Sequence, residues 1–130
     1  IKIIKSEDEW KKILTEEEFL VTRKKHTESP FHKNDFTSSK EGIYSCKCCD
    51  LNLFNSSTKY ESGSGWPSFY DIISINAILE IEDNSHNMLR TEVICSSCDS
   101  HLGHVFSDGP QPTGLRYCIN ALSLKFKENE

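Results

Sequence analysis

The sequence predicts a small antiparallel β fold with short helices attached at its N-terminus. Three observations lead there. Two helix-capping signatures lie within the first 28 residues. From Phe31 onward the apolar segments are short and separated by turn signals. Two C-x-x-C hooks, Cys46 to Cys49 and Cys95 to Cys98, have the spacing of a metal clamp.

Ser6-Glu7-Asp8-Glu9 is a capping box, with Trp10, Ile13 and Leu14 falling on one helical face. Thr15-Glu16-Glu17-Glu18 is a second, and Phe19 and Leu20 begin another short helix. The acidic first turns and the later Arg23-Lys24-Lys25 suit the helix dipole. That basic run beside His26 reads as a solvated helix face. Ser29-Pro30 closes the helical pattern. The strand candidates follow: Gly42 to Ser45, Leu51 to Phe54, Ile75 to Ile81, Leu89 to Ile94 and Arg116 to Phe126. Turns fall at Asn84 to Asn87, Asp108-Gly109-Pro110 and Pro112-Thr113-Gly114. One domain is expected over residues 1–130, with a helical segment at 1–28 and a β-rich body at 29–126.

The chain has a net charge of −5, 27% charged residues and a mean hydropathy of −0.52. An acidic balance argues against nucleic acid, and no apolar run reaches the length of a membrane span. Six cysteines beside paired hooks point to a reducing compartment rather than a disulfide lattice. The expectation is a cytoplasmic monomer, or an organellar one if an upstream transit segment was trimmed.

Zinc takes four tetrahedral ligands, and a C-x-x-C turn presents two thiolates to one ion. Cys46, Cys49, Cys95 and Cys98 therefore form a candidate all-thiolate shell, one structural Zn2+ per chain with no open position. Buried, unliganded cysteines and a redox-active hook are the competing readings, but nothing around either hook resembles a βαβ unit. Cys48 is adjacent to Cys49, and the two would point apart.

Cys118 stands alone in Arg116-Tyr117-Cys118-Ile119-Asn120. Strand alternation projects Arg116, Cys118 and Asn120 from one face and Tyr117 and Ile119 from the other. A cation beside a thiol favours the thiolate, so Cys118 is a candidate nucleophile, with a buried structural cysteine as the alternative. After Asn120 the apolar parity flips to Leu122, Leu124 and Phe126, which implies a bulge or bend near Ala121. His101 and His104 can accept or donate a proton near pH 7. His101 also has the spacing to join the metal, which four thiols make unnecessary. In Gly63-Ser64-Gly65-Trp66-Pro67, glycines permit close backbone approach and Pro67 stiffens Trp66, an aromatic wall for an apolar group.

The stretches Gly42 to Cys46, Thr58 to Phe69, Arg90-Thr91-Glu92-Val93, His101 to Phe106 and Gly114 to Asn120 closely resemble methionine-R-sulfoxide reductases of the B type. The resemblance runs from about Val21 to Phe126. It implies a β-tent-like fold of two small antiparallel sheets, a four-cysteine zinc, and reduction of methionine-R-sulfoxide in oxidised proteins. By that similarity Cys118 matches the nucleophile, and Cys46, Cys49, Cys95 and Cys98 match the zinc ligands. Trp66, His101, His104, Arg116 and Asn120 match substrate-site residues. Where many members carry a recycling cysteine, this chain has Ser64. Either Cys48 resolves the oxidised Cys118, or a thioredoxin-like reductant acts on it directly. Asn87 replaces a common glycine in a turn that Asn tolerates. A zinc module that binds another protein and a redox sensor are the rival classes.

Overall fold

The structure, a computed structural model, describes residues 3–27, 41–60, 62–63, 65–84 and 89–128. The expectations placed on Ser29-Pro30, Ser64 and Asn87 lie outside these residues.

Helices α1 (Glu7–Ile13) and α2 (Glu16–Lys24) begin where the capping boxes place them. The Glu9 N–H donates to Ser6 Oγ at 3.2 Å, and the Ser6 N–H donates to Glu9 Oε1 at 3.0 Å. Thr15 and Glu18 repeat the exchange. Each box satisfies first-turn amides that would otherwise lack partners. Trp10, Leu14 and Phe19 are buried against the body. Ile13 departs from expectation. It is 58% exposed, because the helix ends there and Trp10 and Leu14, a full turn apart, take the core side.

Among the described residues, nine strands form two antiparallel sheets. The smaller has the order β2-β1-β9, with β1 (Gly42–Cys46), β2 (Asn52–Asn55) and β9 (Leu124–Glu128). The larger has the order β3-β4-β8-β7-β6-β5. Its members are β3 (Lys59–Tyr60), β4 (Ser68–Phe69), β5 (Ile78–Asp83), β6 (Arg90–Cys95), β7 (His101–Phe106) and β8 (Arg116–Ile119). The mainly β, two-sheet architecture is the predicted one.

Three strands lie outside the predicted set. β3 and β4 have two residues each, too short for alternation to register. β7 carries two histidines and a glycine, and its burial does not alternate. The predicted strand from Ile75 begins only at Ile78, because the Ala77 N–H turns back to the Ser74 carbonyl at 3.0 Å. The predicted run from Arg116 to Phe126 is two strands joined by a 3₁₀ turn at Ala121–Ser123. The bend expected near Ala121 is this turn, and it marks the point where the chain leaves the larger sheet and enters the smaller.

Between the sheets lies an aromatic core. Phe54 stacks on Phe69 at 4.3 Å between centroids, and Tyr44 meets Phe69 edge-on at 5.1 Å. Tyr117 and Phe126 close the cluster against Phe54 and Tyr44. These rings bury large apolar area and prefer such offset and edge contacts. Among the described residues no helix is long and apolar enough to cross a membrane.

Candidate active site

One register row of the larger sheet aligns Cys118 with His104. Cys118 of β8 lies opposite Ser68 of β4 and His104 of β7, and His104 lies opposite Glu92 of β6. Directly opposed residues share a sheet face, so Cys118 and His104 project to the same side. Tyr117 and Ile119 point the other way and are buried, as the alternation predicts.

A cavity of about 240 Å³ opens over this row. Its walls include Trp66, His104, Phe106, Arg116, Cys118 and Asn120. Trp66 reaches it because Gly65, at φ 88°, turns the chain just before, and the Ile119 N–H holds the Pro67 carbonyl at 3.0 Å. Asn120 is 4% exposed and its Nδ2 donates to the Leu102 carbonyl at 3.2 Å. Gly103 also lines the cavity, and a Cβ there would sit 2.0 Å from the Cys118 carbonyl oxygen. Only glycine lets β7 approach β8 this closely.

Arg116 forms a two-point ion pair with Asp108, Nε to Oδ1 at 2.9 Å and Nη2 to Oδ2 at 3.3 Å. Its guanidinium stacks over Phe106 at 4.4 Å. Asp108, and then the neighbouring Cys118 and Tyr60, raise the Arg116 pKa, so it is a fixed cation beside the thiol.

The two histidines sit differently. His104 lines the cavity and its Nε2 meets Asp83 Oδ2 at 2.7 Å. His101 lies behind, 3% exposed, with its ring 5.6 Å from that of His104. On a regular strand, residues three apart face opposite ways. Here the register slips between Val93 and Ile94, so that Ile94 pairs with His101, and the two rings come together. Burial lowers the His101 pKa, opposed by the Glu92 carboxylate at 2.7 Å.

Away from the cavity, the four hook cysteines converge. Cys46 ends β1 of the smaller sheet and Cys95 ends β6 of the larger, so the cluster joins the two sheets. The two loops have the same construction. The Asp50 N–H donates to the Cys46 carbonyl and the Asp99 N–H to the Cys95 carbonyl, each at 2.9 Å. Both aspartates take positive φ, 70° and 63°, and each loop closes by a hydrogen bond from its first cysteine N–H to the residue after the aspartate. The four sulfurs lie within 4.8 Å of one another, with Cys46–Cys98 at 3.6 Å and Cys49–Cys95 at 3.4 Å. A tetrahedron with zinc–sulfur bonds of about 2.3 Å has edges of about 3.8 Å, so these residues fit a single metal ion. The neighbouring Cys46 thiol holds Cys49 and Cys95 below the ordinary thiol range.

Cys48 does not point away from the cluster, as its adjacency to Cys49 suggests. It lies near Cys46 and Cys98, which lower its pKa, with Thr22 and Ser100 acting the same way more weakly. It is not among the residues lining the cavity that holds Cys118.

Sequence reasoning missed the charged residues around the histidines. Glu92 is 2% exposed, and Lys25 Nζ lies 3.2 Å from its second oxygen. Nor is Arg23 merely solvated. It stacks over Trp10 at 4.5 Å and donates to the Cys98 carbonyl at 2.8 Å, docking α2 on the second hook. The signal available was Glu92 standing directly before the apolar run Val93-Ile94-Cys95. Ser123, fully buried, links the two regions. Its carbonyl accepts from the Lys47 N–H at 2.9 Å, and its hydroxyl donates to the His101 carbonyl at 2.8 Å.

Comparison with known proteins gives one answer. The SelR domain model matches residues 14–128. A peptide methionine sulfoxide reductase MsrB of Methanosarcina mazei is 57% identical over 129 residues, covering 99% of this chain and 92% of the relative. The corresponding protein of Methanosarcina barkeri is 57% identical, covering 97% and 89%. That of Acinetobacter baylyi is 53% identical, covering 99% and 93%. With a register row, a lined cavity and a thiol cluster in place, and relatives matched along nearly its whole length, the chain belongs to the SelR family of MsrB-type methionine sulfoxide reductases, oxidoreductases that return methionine sulfoxide to methionine.

Proposed function

We propose that residues 1–130 act as a single reductase domain in which Cys118 is the nucleophile. Its substrate is the R epimer of methionine sulfoxide, carried in oxidised proteins. The Cys118 thiolate attacks the sulfoxide sulfur. His104, supported by His101 and Asn120, delivers a proton to the oxygen as charge develops there. The sulfoxide S–O bond breaks, methionine leaves, and the oxygen ends on Cys118 as a sulfenic acid. Two electrons pass from the Cys118 sulfur to the sulfoxide sulfur. Trp66 receives the methyl group and Arg116 keeps the thiol ionised. The observation that carries this reading is the cavity in which Cys118, His104, Trp66, Arg116 and Asn120 meet.

Cys46, Cys49, Cys95 and Cys98 would hold one Zn2+, which supplies a cross-link between sheets and no chemistry. The reductant is an external thioredoxin-like thiol acting on Cys118 directly. Cys48 supports that choice, since it sits among the hook cysteines. Thiols kept free for metal and catalysis suit a reducing compartment such as the cytoplasm.

The test supplies R and S methionine sulfoxide with a dithiol. Wild-type protein should consume only the R form, and Cys118→Ser should keep its fold and metal but lose turnover by at least a thousandfold, on the order expected for removal of a nucleophile. Turnover by Cys118→Ser, or equal use of both epimers, defeats the proposal.

A further inference from the structure

Glu92 is the one buried acid among the described residues, and neither the hooks nor the cavity wall uses it. A carboxylate taken out of water is costly unless its oxygens find donors. Both do. His101 Nδ1 lies 2.7 Å from Oε2, and Lys25 Nζ lies 3.2 Å from Oε1. An ionised carboxylate only accepts, so Nδ1 carries the hydrogen and the other ring nitrogen, Nε2, is left as the acceptor. That Nε2 is buried and has no hydrogen-bond partner. Its ring abuts His104, which lines the cavity.

We infer that Glu92 and Lys25 are positioning residues for the reduction: Glu92 holds His101 as a proton-accepting neighbour of His104, and Lys25, at the end of α2, holds Glu92 in place. This rests on the proposed role of the paired histidines. Lys25 is at the left-handed C-cap of α2, φ 61°, a conformation that turns the chain sharply at the helix end. The N-terminal helices thereby contribute to the site as well as covering the body. A structural salt bridge alone would not need a histidine at the far oxygen.

The charged and titratable groups around His101 are few. Glu92 faces it from β6, Lys25 from the end of α2, and His104 from its own strand. Asp83 and Arg90 lie beyond His104, and Cys118 and Arg116 stand across the cavity on β8. The other charges of α2 look elsewhere, Glu18 to Lys47 and Arg23 to the Cys98 carbonyl. Glu92 favours the protonated ring and Lys25 disfavours it. Their removal must therefore act with opposite signs.

The experiment follows the His101 ring by NMR through a pH titration and measures kcat/KM across pH for wild type, Glu92→Gln and Lys25→Met. Glu92→Gln should move the His101 titration to lower pH and reduce kcat/KM by about ten- to a hundredfold, part of the 10²–10⁴-fold that general acid–base groups supply. Lys25→Met should move the titration to higher pH, with a loss below about tenfold. The histidine limb of the rate profile should move with the ring in each variant. Shifts of the same sign, no shift, or unaltered kcat/KM in Glu92→Gln overturn the inference. If Glu92→Gln does not fold, Lys25→Met decides alone, because the Lys25 side chain is 67% exposed and its loss leaves the core intact. Cys118→Ser runs in parallel. Activity there defeats the proposed function, whereas the ring titrations still report on Glu92 and Lys25.

Discussion

Two cysteines lie outside the four-cysteine cluster, and their surroundings differ. Cys118 lines a cavity beside a fixed guanidinium. Cys48 lies near Cys46 and Cys98, among the hook cysteines. Cys48 does not line the cavity that holds Cys118, and a disulfide between them needs Cα atoms within about 7 Å. Oxidising the protein with methionine sulfoxide in the absence of reductant and mapping its peptides should give Cys118 as a sulfenic acid that dimedone traps, with Cys48 free. A Cys48–Cys118 disulfide would instead assign the recycling to this chain. The sequence carried the facing of Cys118 well, because alternation about Tyr117 and Ile119 is a local property. It could not carry the orientation of Cys48, which depends on where the second hook arrives. The same holds for Lys25 and Glu92, whose pairing exists only once α2 docks across β7.

At the scale of the element, β7 decides the geometry of the site. Its bulge brings His101 and His104 together, and Gly103 between them lets β8 come close enough to register Cys118 opposite His104. Gly103→Ala places a methyl against the Cys118 carbonyl, so one strand must shift. The expected cost is about 1–3 kcal/mol, as for other overpacked sites, with a fall in kcat larger than any change in KM. Urea unfolding and steady-state kinetics check both. An undiminished kcat would mean that strand spacing does not matter to the chemistry. The helices were legible because each capping box is a four-residue signal that satisfies its own amides. β4 and β7 were not, since a two-residue strand and a bulged one lack a period. The parity flip after Asn120 was visible, but its cause was not. One chain segment serves two sheets, and a single sequence marks the change without saying whether a bulge or a sheet switch produces it.

For the molecule as a whole, the cysteine cluster is the joint between sheets. Structural zinc in small domains contributes roughly 10–16 kcal/mol, as much as or more than the roughly 5–15 kcal/mol that stabilises a typical domain. Removing the metal with a chelator at neutral pH should therefore abolish the cooperative unfolding transition, and Cys95→Ser should do the same without chelator. Circular dichroism and metal analysis test this. A metal-free protein that keeps its transition would show that the aromatic core suffices.

Ser123 gives that joint a second consequence. One oxygen of this residue takes a hydrogen bond from the first hook and its hydroxyl reaches the backbone of His101. Loosening of the thiolate cage would thus be felt at the backbone of His101. A repair enzyme that works amid oxidants would then fall silent while still folded, its own damage registered as lost turnover rather than as misdirected chemistry.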